Sequence, residues 1–139
     1  MVTPTDLLGE WELHRHVDDR RAGVDGTVTG TTTLTATGPD EVRWDETGTM
    51  TFDGRTVPVS RTLRVRRDDS GRWTVHFADG RVFHDWVWGS EVSHACAPDD
   101  YSGVLTGDTE HWTVRWSALG PAKDYVLSSD LRRRSHPAD

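Results

Sequence analysis

The feature that most constrains this chain is a period-two alternation of apolar and polar residues, repeated between tight-turn signals almost from end to end. Successive side chains of a strand point to opposite faces, so such alternation marks half-buried strands and leaves no room for long helices. Trp11, Leu13 and Val17 share one face, with Glu10, Glu12, His14 and His16 on the other. Val28, Thr32, Leu34 and Ala36 alternate with Thr27, Thr29, Thr31, Thr33 and Thr35. Val42, Trp44, Met50 and Phe52 continue the scheme, as do Val57, Val59, Leu63 and Val65 opposite Arg64 and Arg66. Trp73, Val75 and Phe77 follow, then Trp112, Val114 and Trp116.

The punctuation is short. Asp53-Gly54 is a two-residue hairpin signal, because both residue types tolerate positive φ. Asp69-Ser70-Gly71, Asp79-Gly80, Gly38-Pro39-Asp40, Gly89-Ser90, Gly107-Asp108 and Gly120-Pro121 read as further turns. Connections this short join antiparallel neighbours. About nine to ten strands so linked form an up-and-down meander, and closing it into one antiparallel β-barrel hides the strand edges. The expected fold is therefore all-β, with the barrel over residues 1–134 and a short C-terminal tail at 135–139. Residues 18–25 form the longest connection and are expected to lie over an open end.

At 139 residues the chain has the length of one domain. Its 16 Lys and Arg against 23 Asp and Glu give a net charge of -7. An acidic chain is a poor partner for nucleic acid, whose binding needs cations to displace counterions, and for an anionic membrane surface. No segment has the run of about 20 apolar residues that spans a bilayer. A single cysteine, Cys96, excludes a disulfide within the chain, and Met1 to Leu8 carry no leader pattern. These features point to the cytoplasm, with a monomer or homodimer both compatible with a closed barrel.

The run Leu8-Gly9-Glu10-Trp11 resembles the Gly-x-Trp opening of the lipocalin and calycin group. In that group a basic residue near the end of the last strand packs over the tryptophan, and Arg132, Arg133 or Arg134 stands in the corresponding place. Asp79-Gly80-Arg81-Val82-Phe83-His84, His94-Ala95-Cys96-Ala97-Pro98-Asp99-Asp100-Tyr101 and Gly120-Pro121-Ala122-Lys123-Asp124-Tyr125 resemble a lipocalin-like family of unknown function from bacteria and fungi. The resemblance implies the barrel and supplies no mechanism.

The residues must carry the rest. Candidate catalytic groups are His84, Asp85, His94 and Tyr101, since an inward histidine bonded to a carboxylate moves protons near neutral pH. If Gly89-Ser90 is a two-residue turn, Asp85 pairs with His94; with one more loop residue, His84 pairs with Cys96 and Trp86 with His94. A one-residue slip exchanges the faces, so both registers stay open. A buried histidine that only holds the barrel together is the competing reading. Candidate ligand contacts are Arg15, Trp44, Arg61, Trp86, Cys96, Arg115, Lys123 and Tyr125. Arg15 and Arg61 share parity with apolar residues, and two inward arginines imply an anionic or strongly polar group on the ligand. Seven tryptophans offer flat surfaces for an aromatic ligand, or simply fill a wide barrel. His84, His94 and Cys96 are ligand types for metal or haem, but lack a metal-binding spacing, and no cofactor is expected. Two functions follow: a barrel that binds a small, largely apolar or aromatic metabolite, or a cofactor-independent isomerase, cyclase, dehydratase or hydrolase.

Overall fold

The computed structural model describes residues 2–134, without the side chains of His94 and Cys96. Ten antiparallel strands follow a short 3-10 helix (Pro4–Leu7). They are β1 (Gly9–Asp19), β2 (Val24–Gly38), β3 (Glu41–Phe52), β4 (Arg55–Arg67), β5 (Trp73–Phe77), β6 (Val82–Asp85), β7 (Val92–Cys96), β8 (Asp99–Gly107), β9 (His111–Gly120) and β10 (Lys123–Arg133). The sheet order is β6-β5-β4-β3-β2-β1-β10-β9-β8-β7, so an up-and-down meander wraps into a nearly closed barrel.

Closure is incomplete at one place. Among the described residues no ladder joins β6 to β7, so neither expected register across Gly89-Ser90 forms. Residues 86–91 instead run along one end of the barrel, where Gly89 N–H donates to the Leu105 carbonyl. A β-bulge between Val75 and His76 breaks the alternation of the facing strand β6. The extra residue, Phe83, turns inward together with His84, and both are buried.

Turn chemistry fixes the other connections. Asp53 and Gly54 both have positive φ, the conformation a two-residue hairpin requires. Residues 18–25 do not form a lid. The β1–β2 ladder runs on to Asp19 and Val24, leaving residues 20–23 as a turn with Gly23 at φ +66°. Continued pairing satisfies backbone groups that an open loop would leave to solvent. Ala36 lies exposed instead of inward, because β2 slips register between Ala36 and Gly38.

The two ends of the barrel differ. At one end the 3-10 helix caps the core, with Leu7 fully buried and its carbonyl accepting from Trp11 Nε1 at 2.8 Å. Arg133 is the basic residue that covers Trp11, its guanidinium 4.3 Å from the ring centroid. Arg133 Nη1 donates to the Leu8 carbonyl and Nε to that of Thr109, so one side chain ties three segments together. Trp86 Nε1 donates to the Val2 carbonyl at the same end. Above this plug, Trp11, Trp44, Trp86, Trp88, Trp112 and Trp116 form one connected ring cluster with centroids 5.4–6.2 Å apart. Tilted and edge-on contacts dominate, as the ring quadrupole favours. The other end, bounded by the turns after β1, β3, β5, β7 and β9, stays open.

Candidate functional site

The open end holds a cup of about 290 Å³. Its floor is Trp116, with Phe77, Phe83 and Leu127 on the walls. Among the described residues its polar lining consists of Arg61, Arg81, Tyr101, Ser117, Lys123 and Tyr125, with no carboxylate. Strand parity explains the assembly. Tyr125 and Leu127 alternate along β10, Arg61 lies in step with Leu63 on β4, and Trp116 follows Val114 on β9.

Beneath Arg61 lies a buried ionic network. Glu46 sits on the inner face of β3, directly opposite Arg61 on β4, and is 4% exposed. Its Oε1 accepts from Arg15 Nη2 and from Arg61 Nη2, each at 2.7 Å. Its Oε2 accepts from Thr32 Oγ1 at 3.0 Å and from Trp44 Nε1 at 3.3 Å. Arg15 Nε donates to Ser129 Oγ. Burial alone would raise the Glu46 carboxyl; the charges and hydrogen bonds of the two arginines override it and hold the pKa at about 2. Arg61 lies 4.5 Å from the Trp116 ring centroid, and among the described residues its buried Nε has no hydrogen-bond partner. Burial pulls its guanidinium below the ordinary value, and Glu46 opposes that pull. A second, half-open recess of about 100 Å³ beside Arg61 reaches Arg15 and Glu46.

At the rim, Lys123 Nζ donates to Tyr101 Oη at 2.8 Å and stands 3.3 Å from Asp99 Oδ2. The Tyr101 hydrogen bond and then Asp99 hold the lysine above its ordinary range, so it remains an ammonium. Burial pushes the Tyr125 phenol up, which keeps it a hydroxyl donor at neutral pH.

The expected site residues divide accordingly. Arg61, Tyr101, Lys123 and Tyr125 line one cup. Arg15 lies one layer deeper, bound to Glu46. Trp44 is fully buried below the floor, packed on Trp116 at 5.5 Å, and so does not border the cup. Trp86 is at the plugged end, bound to Val2, because residues 86–91 cross there. Asp85 and Arg115 are exposed on outward-facing positions and do not reach the interior. Asp85 meets His84 through its backbone carbonyl. His84 is 4% exposed, with Nδ1 2.8 Å from that carbonyl and Nε2 accepting from Trp116 Nε1 at 2.9 Å. An indole N–H only donates, so Nε2 is the unprotonated nitrogen and Nδ1 carries the hydrogen. His84 thus spans from β6 to β9 across the open seam and seats the cup floor. His94 and Cys96 occupy β7 opposite Tyr101 and Asp99 on β8, and their side chains lie outside the described residues. The residue that sequence reasoning missed is Glu46, although its parity with Val42 and Trp44 marks it as inward.

Gly103 makes room for the floor. A Cβ there would stand 2.8 Å from Trp116 Cδ1 and 3.1 Å from its Nε1. Gly103→Ala is expected to displace Trp116, weaken its bond to His84 and destabilise the barrel by about 1–3 kcal/mol, the usual cost of overpacking. Urea titration checks the stability, and a shift in tryptophan emission checks the displaced ring.

The barrel and its cup define a class: a ten-stranded antiparallel up-and-down barrel, plugged at one end and hollow at the other. Within that class, the chain belongs to the family of unknown function DUF6314, which matches residues 7–133. No curated protein matches it. Among solved structures it is similar to the S-type phycobiliprotein lyase CPES from Guillardia theta, at 10% identity over 96% of this chain and 92% of that one, with a TM-score of 0.68. It is also similar to a redesigned β-barrel, mFAP0, bound to DFHBI, at 16% identity over 92% and 99% of the two chains and a TM-score of 0.52. At these identities the likeness is one of fold. No described helix is long and apolar enough to cross a membrane.

Proposed function

We propose that this protein binds a small, largely aromatic metabolite in the cup at the open end of the barrel, and that it works in the cytoplasm. The observation that carries the reading is the division of the interior. Tryptophans fill one half completely, while the other half keeps a cavity of about 290 Å³ walled by rings and rimmed by polar groups. A protein under no demand to hold a ligand gains stability by filling such a space, because each unfilled methylene-sized gap costs stability. The volume lies at the lower edge of small-molecule sites, about 300–1,000 Å³, and suits one or two rings. The similar barrel bound to DFHBI supports the reading by showing that this architecture accommodates a small molecule.

A second reading, cofactor-independent acid–base catalysis, is favoured by one observation. Tyr101 accepts a hydrogen bond from the Lys123 ammonium at the cup, so its hydroxyl can exchange a proton with a bound molecule.

Native mass spectrometry of the protein purified from its own host tests the binding reading. A co-purifying organic mass is expected, and it should be absent from Leu127→Trp, which fills the cup. A mass retained equally by that variant would place the ligand elsewhere. Turnover of the released molecule by the wild type, lost in Tyr101→Phe, would favour catalysis.

A further inference from the structure

The interior charges do not balance. Two guanidiniums, Arg15 and Arg61, share a single carboxylate, Glu46. The other partners in the network, Ser129, Thr32 and Trp44, are neutral. The network therefore carries one positive charge in excess: Arg15 and Glu46 are buried, while the Arg61 side chain, 30% exposed, faces the cup. Ladder pairing on β3 and β4 sets Arg61 against Glu46, and Arg15 reaches the same carboxylate from β1, so either arginine alone would already make a neutral pair. Arg61 lies on the cup side of that pair, over the ring of Trp116.

The rim repeats the asymmetry. Lys123 has three protons, two of which are directed to Tyr101 and Asp99. Tyr101 accepts from Lys123, which leaves its own hydroxyl proton to donate. Tyr125 is a second phenolic donor. The cup thus presents cations and hydroxyl donors, while its nearest carboxylates are covered, Glu46 by Arg61 and Asp99 by Lys123. A lining rich in donors and without a carboxylate complements an oxyanion and discriminates against cations.

We infer that the ligand is a planar aromatic anion, a carboxylate or phenolate on one or two rings, whose charge completes the Arg15–Glu46–Arg61 network. The ring lies against the Trp116 and Phe83 end of the cup, and the oxyanion meets Arg61 and the Lys123–Tyr101 pair. This assignment rests on the cup being a binding site, and the test separates the two.

The probes are 2-naphthoate and benzoate, each compared with its uncharged amide, titrated by tryptophan fluorescence and calorimetry against the full chain. The wild type is expected to bind each carboxylate at least about tenfold more tightly than its amide, since a charge-assisted hydrogen bond is lost in the neutral analogue. Arg61→Met should abolish that preference while leaving a neutral Arg15–Glu46 pair in the core. Lys123→Met, at the rim, should reduce it without affecting the fold, and Arg115→Met, on the outer face, should leave it intact. Equal affinity of the wild type for acid and amide overturns the anion assignment and leaves the cup as a binding site. A preference that survives both Arg61→Met and Lys123→Met also overturns it. Failure of every probe to bind at millimolar concentration overturns the aromatic-anion assignment, and the binding reading then stands or falls on the co-purified mass and its loss in Leu127→Trp.

Discussion

Replacing Glu46 with alanine is expected to destabilise the barrel by about 3–5 kcal/mol, because it leaves the buried Arg15 without its carboxylate and takes from Arg61 its ion-pair partner. For a chain of this size that corresponds to a fall in Tm of about 10–15 °C. Calorimetry at pH 7 reads it directly, and a Tm within 2 °C of wild type, on the order of the shift left by a neutral substitution, would sink the proposed ionic core. The same carboxylate carries a pH signature. Its folded pKa of about 2 lies below the ordinary value of 4.5, so its contribution is fully present above pH 4.5 and is lost as pH falls from 4.5 toward 2. The depression corresponds to about 3 kcal/mol by linkage. Glu46→Gln should therefore show a shallower loss of stability than wild type across that acid window, while exposed carboxylates contribute equally to both proteins.

The second large effect is expected at Trp44. This ring is fully buried and contacts Trp86, Trp112 and Trp116, so it joins the plugged half of the barrel to the floor of the cup. Trp44→Ala removes those contacts and leaves a void that rigid strands cannot collapse, at a cost of about 3–5 kcal/mol. Near-UV circular dichroism should lose much of its tryptophan intensity even under conditions where far-UV signal shows the strands intact. Trp44→Phe, which keeps a ring, should recover most of the loss. If Trp44→Ala matched the wild type in both Tm and near-UV spectrum, the tryptophan cluster would not be the core described here.

Much of this architecture is legible in the sequence because it depends on local chemistry. Alternation of Trp11, Leu13 and Arg15 against Glu12, His14 and His16 dictates which face of β1 is buried, since the side-chain period of a strand is fixed. The Asp53-Gly54 turn, with both residues at positive φ, sets the β3–β4 register and thereby places Glu46 opposite Arg61. The parity of Arg61 with apolar residues reads as inward, and the parity of Glu46 with Val42 and Trp44 puts it within the same reach. The cationic cap over Trp11 is what the resemblance to the lipocalin and calycin group implies, while the choice of Arg133 over its two neighbours follows from which of three consecutive side chains faces the ring.

Where alternation fails, the reading fails with it. Phe83 and His84 both enter the barrel because a bulge inserts one residue, and nothing in residues 82–85 announces the bulge. Asp85 and Arg115 were candidates by chemical type, yet strand direction turns both to solvent.

What the sequence by itself determined is the meander: strand faces, tight turns, an all-β barrel and a stock of inward aromatic rings, all consequences of interactions between residues near in the chain. Only the tertiary structure decided which groups meet. Arg15 on β1 reaches Glu46 on β3, His84 on β6 meets Trp116 on β9, and Tyr101 on β8 meets Lys123 on β10. Those contacts depend on the curvature that closes the sheet, a property of all ten strands packed together, and so do the cup they surround and the unbalanced charge beneath it.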